Sequence, residues 1–234
     1  MSLAAATLAI IVPVRDEAAG IIGVLDALAP LRAAGHPVIV VDGGSRDGTV
    51  ALCRGRCDRL LVGATGRAAQ MNAGAAVAAC ELLLFLHADT TLPDGAIELI
   101  RQGLTGAHLP GKARVWGRFD VRIAGRSRWL PMVAAMMNAR SRLTGIATGD
   151  QAIFVRRDAF VAVGGFPAQP LMEDIELSRR LKRLSPPLCL RPRVTTSGRR
   201  WDRHGVWRTI VLMWRLRLLY WLGRPAESLA RAWA

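Results

Sequence analysis

No stretch of this 234-residue sequence is long and apolar enough to cross a bilayer. A membrane-spanning helix needs about 20 predominantly apolar residues, and the best candidate, 206–222, is interrupted by Arg208, Arg215 and Arg217. Residues 1–7 also lack the basic region and the longer apolar core of a secretory signal. We therefore expect a chain that does not cross a membrane by itself and that lies in the cytoplasm.

Lysine and cysteine are both scarce. Only Lys112 and Lys182 are lysines among the 32 basic residues, and we attribute this arginine bias to genomic base composition rather than to function. The 4 cysteines include one C-x3-C spacing, Cys53 and Cys57, without a matching second pair or a histidine at the spacing of a zinc finger. The sequence therefore predicts structural or incidental thiols.

Acidic residues are in the minority, because 18 of them face 32 basic ones and leave a formal net charge of +14. Nucleotide phosphates, nucleic acid or an acidic membrane surface would each suit this charge. The basic residues are scattered, however, and acidic residues stand at the predicted strand ends, where they would oppose a polyanion. We therefore expect no nucleic-acid partner.

The first half of the chain alternates short apolar runs with helical patterns, and the second half is looser. The predicted strands are 8–14, 37–41, 60–62, 82–86, 114–123 and 152–155, and the predicted helices are 17–34, 48–56, 68–79, 94–103, 129–143 and 172–184. Strands that are apolar on both faces and separated by helices indicate a parallel sheet covered on two sides. The predicted fold class is α/β, with a mostly parallel central sheet and helices on both faces, in a single domain.

Charged or polar residues mark the ends of three predicted strands: Arg15, Asp16 and Glu17 after the first, Asp42 at the second, and His87 and Asp89 after the fourth. Ligands of open α/β sheets bind beyond the carboxyl ends of the strands. Solvation alone would also make these loops polar, but carboxylates at three successive strand ends favour a binding site with convergent polar groups.

Two motifs stand at the first two strand ends. Residues 11–17 read Ile-Val-Pro-Val-Arg-Asp-Glu, and residues 42–49 read Asp-Gly-Gly-Ser-Arg-Asp-Gly-Thr. Together they resemble the opening of family 2 glycosyltransferases. The resemblance implies a GT-A fold and a nucleotide-sugar pocket lined by Pro13, Arg15, Glu17 and Asp42, with Asp42 contacting the base. The family usually has a second aspartate where this chain has Gly43. We interpret Ser45 and Asp47 as caps of the next helix.

Further blocks extend the resemblance to about residue 183. Residues 66–74 are similar to the family's helix that closes over the donor nucleotide, which implies donor contacts by Arg67 and Asn72. Residues 85–91 occupy the place of the family's metal-binding Asp-x-Asp motif. Asp89 would bind Mn or Mg, which neutralises a diphosphate leaving group. His87 replaces the first acid, so it is either a softer metal ligand, a donor contact or a hydrogen-bonded structural residue.

Residues 172–177, Met-Glu-Asp-Ile-Glu-Leu, resemble the family's Glu-Asp motif at the start of a helix that faces the acceptor. Inverting transfer needs a carboxylate that takes the proton of the acceptor hydroxyl, and Asp174 matches the family's catalytic base. Glu173 would be its catalytic neighbour. An acidic first turn would also complement the helix dipole without any catalytic role.

The C-terminal part carries weaker signals. We interpret residues 197–204 as a basic loop over the diphosphate, with Arg199, Arg200 and Trp201 as donor contacts and His204 as a further metal ligand. The segment 206–222 combines aromatic side chains with arginines. This composition suits the headgroup zone of an anionic bilayer, on the cytoplasmic face. It equally suits a helix that packs on the domain or in a homodimer.

The resemblance as a whole implies an inverting glycosyltransferase, a hexosyltransferase that moves a sugar from a nucleoside diphosphate to an acceptor hydroxyl or phosphate. A polyprenyl lipid is one candidate acceptor, since it would fit a membrane-bound tail. Residues 1–110 would form the nucleotide-sugar half, 111–205 the acceptor half and 206–234 amphipathic helices. Two alternatives remain: a nucleotide-sugar binding module without turnover, which Gly43 and His87 leave open, and a nucleotidyltransferase, which the Glu173-Asp174 helix disfavours.

Overall fold

The structure is a computed structural model that describes residues 6–105 and 113–233. Its strands are β1 (Leu8–Val14), β2 (Val38–Asp42), β3 (Arg59–Val62), β4 (Leu82–Phe85), β5 (Thr90–Thr91), β6 (Trp116–Ala124), β7 (Phe154–Arg156) and β8 (Leu188–Ser197). Its helices are α1 (Ile21–Ala33), α2 (Thr49–Cys53), α3 (Arg67–Val77), α4 (Ala96–Thr105), α5 (Leu130–Thr144), α6 (Arg157–Ala162), α7 (Glu173–Leu181), α8 (Arg199–His204), α9 (Val206–Trp221) and α10 (Ala226–Trp233). A short 3₁₀ helix spans Gly149–Gln151. Two predictions concern residues outside the described ranges. Residues 1–5 belong to the segment predicted to lack a secretory signal, and residues 110 and 111 form the predicted boundary between the two halves.

The strands form one mixed sheet in the order β3-β2-β1-β4-β7-β6-β8-β5. Strands β1 to β4 pair in parallel, as predicted from their alternation with helices, and the short β5 pairs antiparallel with β8. Strand β7 then joins β4 to β6 through antiparallel pairings, and β8 pairs in parallel with β6. The predicted α/β class is confirmed, and the sheet is continuous across the two predicted halves.

Alternation along β1 explains why both faces of the sheet are covered. Leu8, Ile10 and Val12 point into a core shared with α1, α4 and α5. Ala9 and Ile11 point into a second core, which α3, α6 and α7 cover. All of these side chains are buried, so the strand contributes to two hydrophobic layers at once.

Strand β8 was not predicted. Its residues 191–193 read Arg-Pro-Arg, which breaks the apolar alternation of a strand. The pairing with β6 accommodates them by a register shift, because Phe119 pairs with Leu190 and the next residue, Asp120, pairs with Arg193. Proline has no N–H to donate to a neighbouring strand, and a bulge is one of the few places in a sheet where that hydrogen bond is not needed.

Helix α5 is attached to the sheet by Asn138. Its side-chain amide accepts the Val121 N–H at 2.9 Å and donates to the Val121 carbonyl at 3.0 Å. The fully buried Arg118 also donates to the Asn138 carbonyl at 3.3 Å. These bonds fix the face of α5 that looks away from the sheet. Across residues 6–105 and 113–233, no helix is long and apolar enough to cross a membrane.

Candidate active site

The loops after β1 and β2 are bonded to each other by side chains. The Glu17 N–H donates to Thr49 Oγ1, and the Asp16 N–H donates to Ser45 Oγ, both at 2.9 Å. The Asp47 carboxylate accepts the Ala18 N–H at 2.9 Å. Because these residues hold the chain out of a helix, α1 begins at Ile21 and not at residue 17 as predicted.

The capping role predicted for Ser45 and Asp47 is wrong. Helix α2 begins at Thr49, and its N-cap is Gly48, with φ 89° and no capping side chain. Asp47 does accept the Thr49 N–H at 3.1 Å, but from outside the helix. Its hydrogen bonds to Thr49 and Ala18 lower the pKa of Asp47 below its usual value. Both side chains therefore stabilise the paired loops.

Asp42 lies fully buried at the end of β2. Its Oδ1 accepts the N–H groups of Gly44 at 2.9 Å and Ser45 at 3.0 Å, and its Oδ2 accepts the Ser45 hydroxyl. The carboxylate is therefore bonded within its own loop. It fixes the direction of the main chain that rims the sheet edge.

Gln70 occupies the space opposite Gly43, where the family usually has a second aspartate. The Gln70 amide donates to the carbonyls of Val14 at 2.8 Å and Val41 at 2.7 Å, so it ties the ends of β1 and β2 together. A Cβ atom at position 43 would lie 3.0 Å from the Gln70 amide atoms. Where the family usually has a second aspartate, this chain therefore has a glycine that packs against the buried Gln70. No sequence motif had identified Gln70 as part of the site.

Three of the predicted residues form an ion-pair cluster at the sheet edge. Both Glu17 carboxylate oxygens accept hydrogen bonds from Arg199, one of them at 2.7 Å. Arg199 Nη2 also lies 3.6 Å from Asp89 Oδ2. The carboxylates raise the pKa of Arg199, with the hydrogen bond to Glu17 as the main cause. Arg199 therefore presents a fixed positive charge between two acids.

The predicted metal ligands Asp89, His87 and His204 do not come together. Among the residues that the structure describes, no three His, Cys, Asp or Glu side chains are placed to hold a metal ion. His204 is exposed on α8, and His87 is turned towards Asp150. Asp89 alone offers a partly exposed carboxylate. One carboxylate is compatible with Mg²⁺ or Mn²⁺ when substrate phosphates and water supply the other ligands.

His87 is packed in a tight site between the 3₁₀ helix and α7. Its Nδ1 lies 3.1 Å from Asp150 Oδ1, and the residue as a whole is 7% exposed. Its Nε2 is buried and has no hydrogen-bond partner in the described part of the chain. A Cβ atom at position 149 would lie 2.3 Å from this nitrogen, so the ring rests directly on Gly149.

Asp174 and Glu173 begin α7 beside His87. Asp174 Oδ2 accepts the Gly149 N–H at 2.9 Å, which orients the carboxylate. Glu173 is 6% exposed, and burial, with the adjacent Asp174, raises the pKa of Glu173, against the opposing charges of Arg67 and His87. These two acids, Arg67 and His87 line one small cavity of about 10 Å³. The structure therefore brings four predicted residues into contact with a single space.

Asp150 is a member of this site that the sequence analysis did not select. Burial raises the pKa of Asp150, but the hydrogen bond and charge of His87 and the charges of Arg67 and Arg217 outweigh it, so the net pKa lies below its usual value. The carboxylate is thus ionised beside the ring of His87. Its partner is 63 positions away in the chain, and no local pattern could have identified it.

Backbone strain is concentrated around these residues. In residues 6–105 and 113–233, the non-glycine residues with positive φ are Asp16 at 52°, Ala152 at 48° and Met172 at 65°. Asp16 precedes Glu17, and Met172 is the N-cap of α7, directly before Glu173. Left-handed non-glycine residues cost on the order of 1–3 kcal/mol each and cluster at functional sites. The strain therefore supports a functional interpretation of these loops.

The other residues predicted to contact the donor either lie apart from this cavity or form hydrogen bonds that hold the fold together. Pro13 is buried within β1, and Arg15 is exposed beside Asp16 at 4.0 Å. The Asn72 amide is occupied by the main chain of Phe166, with bonds of 2.8 and 2.9 Å. Asn72 therefore holds the loop before α7 in place.

The basic loop predicted for 197–204 is instead the end of β8 followed by helix α8. Gly198 and Gly205 bracket the helix, and the Asp202 carboxylate accepts the Arg126 N–H at 3.1 Å. Two of the predicted donor contacts on this helix face different sites. Arg199 faces the ion-pair cluster, whereas Trp201 lines a groove between α5 and α9. Arg200 is partly buried on the same helix, and burial lowers the pKa of Arg200.

Comparison with known proteins agrees with the resemblance noted in the sequence. The sequence profile described as Glycosyl transferase family 2 matches residues 9–162. A search of curated proteins found no match.

Several solved structures share the fold. One is TarS 1-349 of S. aureus, with TM-score 0.64 and 16% identity over 82% of this chain and 60% of that chain. Another is glucosyl-3-phosphoglycerate synthase of Mycobacterium tuberculosis, in complex with Mn2+, UDP and glucosyl-3-phosphoglycerate, with TM-score 0.58 and 21% identity over 83% of this chain and 72% of that chain. The chain thus spans 60% of the length of the TarS fragment. These likenesses confirm the predicted fold.

Proposed function

The chain belongs to glycosyl transferase family 2, and from this premise we propose that it transfers a sugar from a nucleoside diphosphate to an acceptor. The observation that carries the proposal is the cavity lined by Arg67, His87, Glu173 and Asp174. It combines an oriented carboxylate with a positive charge at the N-terminus of α3, where phosphate oxygens are favoured. The TarS fragment, similar in fold, has been solved in complex with UDP-GlcNAc.

We assign the proton transfer to Asp174. The acceptor oxygen attacks the anomeric carbon, the bond from that carbon to the diphosphate oxygen breaks, and the acceptor proton passes to Asp174. Attack from the side opposite the leaving group inverts the anomeric configuration. The Gly149 N–H holds Asp174 in one orientation, and general-base catalysis of this kind contributes typically 10²–10⁴-fold. Burial and the charge of Asp174 raise the pKa of Glu173, which favours the neutral form of this carboxyl relative to a free side chain.

The donor would lie along the rim formed by the β1 and β2 loops. In this proposal Pro13, Arg15, Glu17 and Asp42 shape the nucleotide pocket, and Asp42 acts by orienting the main chain of its loop towards the base. Arg67 and Arg199 flank the position of the diphosphate, and forked guanidinium donors suit phosphate oxygens.

A divalent ion completes the proposed donor site. Asp89 would hold the ion, which would neutralise the charge of the nucleoside diphosphate leaving group. Glucosyl-3-phosphoglycerate synthase has been solved with Mn2+ or Mg2+ together with UDP. Arg199, 3.6 Å from Asp89, already supplies one positive charge at this position.

Replacement of Asp174 by Asn tests the assignment of the base. With UDP, GDP and dTDP sugars, Mn²⁺ and water as the acceptor, release of the nucleoside diphosphate by hydrolysis should fall about 10²–10⁴-fold in Asp174→Asn. Binding of the donor, followed by thermal shift, should stay unchanged. Glu176→Gln, on the same helix, is the matched control and should keep its turnover. Unchanged turnover in Asp174→Asn would exclude it as the base.

We also propose that α9 contacts an anionic membrane. Its outer face carries Trp207, Val211, Trp214, Leu218 and Trp221, which are between 56% and 81% exposed. They form a continuous apolar stripe at alternating spacings of four and three, and α9 carries no acidic residue. Aromatic and basic side chains on one helix suit a bilayer interface.

Flotation with anionic vesicles distinguishes the membrane contact from the alternative of a homodimer. The protein should float with anionic but not with neutral vesicles, and Trp221→Ser should weaken this binding. Sedimentation at equal protein concentration should show monomers. A dimer that Trp221→Ser dissociates, without vesicle binding, would assign the stripe to self-association instead.

A further inference from the structure

A groove of about 410 Å³ lies between α5, α8 and α9, apart from the donor loops. The two long helices contribute side chains at the same helical spacing. On α5 the lining begins at Val133 and ends at Arg140, and on α9 it begins at Ile210 and ends at Arg217. Trp201 of α8 lies between them. The groove is therefore apolar along its length, except at one end, where α5 contributes Arg140 and α9 contributes Arg217.

The two arginines are partly buried, and the charge of Arg217 acts on Arg140. Burial and the charge of Arg217 lower the pKa of Arg140 to about 10, against the opposing charge of Asp174. Burial likewise lowers the pKa of Arg217, and Asp174 and Asp150 oppose the shift. Neither guanidinium forms a salt bridge with a carboxylate within the described ranges. The Arg140 Nη2 atom is buried without a hydrogen-bond partner there.

Two partly buried guanidinium groups that form no salt bridge in the described ranges, one of them with an unpartnered Nη2 atom, suit an anionic ligand, because a charge removed from water is stabilised by pairing. The chemistry of the rest of the groove is different. Met136, Met137, Met213 and Trp214 offer flexible apolar surface that an aliphatic chain can fill. The groove is thus complementary to one molecule with an anionic head and an apolar chain.

The position of the groove links this molecule to the reaction. Helix α5 contacts the 3₁₀ helix that orients the proposed base, because the Gln151 amide donates to Asn138 Oδ1 at 3.3 Å and the Gly149 N–H donates to Asp174. Helix α9 contacts the segment before α7 through the hydrogen bond between Gln169 and the Tyr220 hydroxyl, at 3.3 Å. The charge of Asp174 also raises the pKa of both arginines, against the effect of burial. At the other side, Trp214 belongs both to the groove and to the exposed stripe of α9. A chain held in the groove can therefore pass to the surface that we assign to a membrane.

We propose that this groove is the acceptor site and that it takes an anionic amphiphile, whose head is held by Arg140 and Arg217 and whose aliphatic chain lies between α5 and α9. This inference rests on the proposed sugar transfer, because it assigns the acceptor of that reaction. In this proposal the head extends towards Asp174, so that the acceptor oxygen can pass its proton to that carboxylate.

Binding is measured with decyl phosphate that carries bromine at the end of its chain, below its micelle concentration. Bromine quenches tryptophan fluorescence on contact, and Trp201 and Trp214 line the groove. We expect saturable quenching by the phosphate. Inorganic phosphate, which lacks the chain, and the decyl trimethylammonium analogue, which has a cationic head, should not compete for the site.

Charge-removing variants locate the head group. Arg140→Met and Arg217→Met should each weaken binding of the brominated phosphate about tenfold or more, since a hydrogen bond to a charged group is worth about 1.5–3 kcal/mol. Arg215→Met, an exposed arginine on the same helix, is the matched control and should keep the wild-type affinity. Thermal denaturation checks that each variant folds.

Thermal stabilisation by donors and fluorescence quenching by the phosphate distinguish failure of this inference from failure of the proposed function. If nucleoside diphosphate sugars stabilise the protein but the brominated phosphate does not quench, the groove is not an acceptor site for amphiphiles while sugar transfer stands. Equal weakening by Arg215→Met, or equal binding of the cationic analogue, would also overturn it, because binding would then reflect surface adsorption. Weakening confined to Arg140→Met and Arg217→Met supports it.

Discussion

Substitution of Gly149 by Ala tests how closely His87 packs against the 3₁₀ helix at Gly149–Gln151. The added Cβ would lie 2.3 Å from His87 Nε2 and 2.5 Å from Cε1, whereas ordinary contacts of a Cβ begin near 3.4 Å. The ring cannot retreat freely, because it is buried and its Nδ1 lies 3.1 Å from Asp150. Overpacking of this kind costs typically about 1–3 kcal/mol.

For a chain of this size that cost corresponds to a loss of about 2–12 °C in the melting temperature. Differential scanning calorimetry without ligand measures it. The matched control is Gly23→Ala, at an exposed position in α1 with no atom within 4 Å of the added Cβ. That variant should gain about 0.5–1 kcal/mol, since glycine is unfavourable inside a helix.

The double variant His87→Ala with Gly149→Ala identifies the cause. Removal of the ring makes room for the methyl group, so the double variant should lose less stability than the sum of the two single losses, by about 0.5–3 kcal/mol. Additive losses, or a Gly149→Ala protein as stable as the wild type, would refute the packing of His87 on Gly149.

Three further predictions concern the remaining parts of the site. Glu173→Gln should become more stable relative to the wild type as pH rises from about 4.5, the pKa of glutamate in the unfolded chain. Because the pKa of Glu173 is raised in the folded protein, ionisation of Glu173 above that pH destabilises the wild type. Parallel pH profiles of the melting temperature for the two proteins would contradict this. Gln70→Leu should cost about 1–3 kcal/mol in denaturant unfolding, since two strand-end carbonyls lose a buried donor. Arg199→Met should weaken binding of a nucleoside diphosphate about tenfold or more in titration calorimetry, while the exposed Arg203→Met should not; equal affinities would remove Arg199 from the donor site.

The parallel half of the sheet could be predicted because its strands are apolar on both faces. Each of the runs that become β1, β2 and β4 is fully buried, so burial and sequence pattern agree. Strand β8 and helix α8 could not be predicted in this way. In β8 the Arg-Pro-Arg run is absorbed by a bulge. In α8 the residues that suggested a loop serve different sites, since Arg199 joins the ion-pair cluster and Trp201 lines the groove.

The site was predictable where a residue's position follows from a strand end or helix start, as for Asp42, Asp89 and Asp174. The partners of these residues were not. Arg199 meets Glu17 across 182 positions, and only the folded chain brings them together. The groove between α5 and α9 had a visible signal, the repeated helical spacing that ends in Arg140 and Arg217, but the sequence does not say which two helical faces oppose each other.

The most direct test of sugar transfer is a thermal-shift panel of UDP, GDP and dTDP sugars with Mn²⁺ or Mg²⁺. A ligand at 100 times its dissociation constant stabilises a protein by about 2.7 kcal/mol, which corresponds to a rise of about 5–11 °C for a chain of this size. We predict such a rise with at least one donor, and a smaller one when Asp89 is replaced by Asn. No stabilisation by any nucleoside diphosphate sugar, with either ion, would contradict the proposed function.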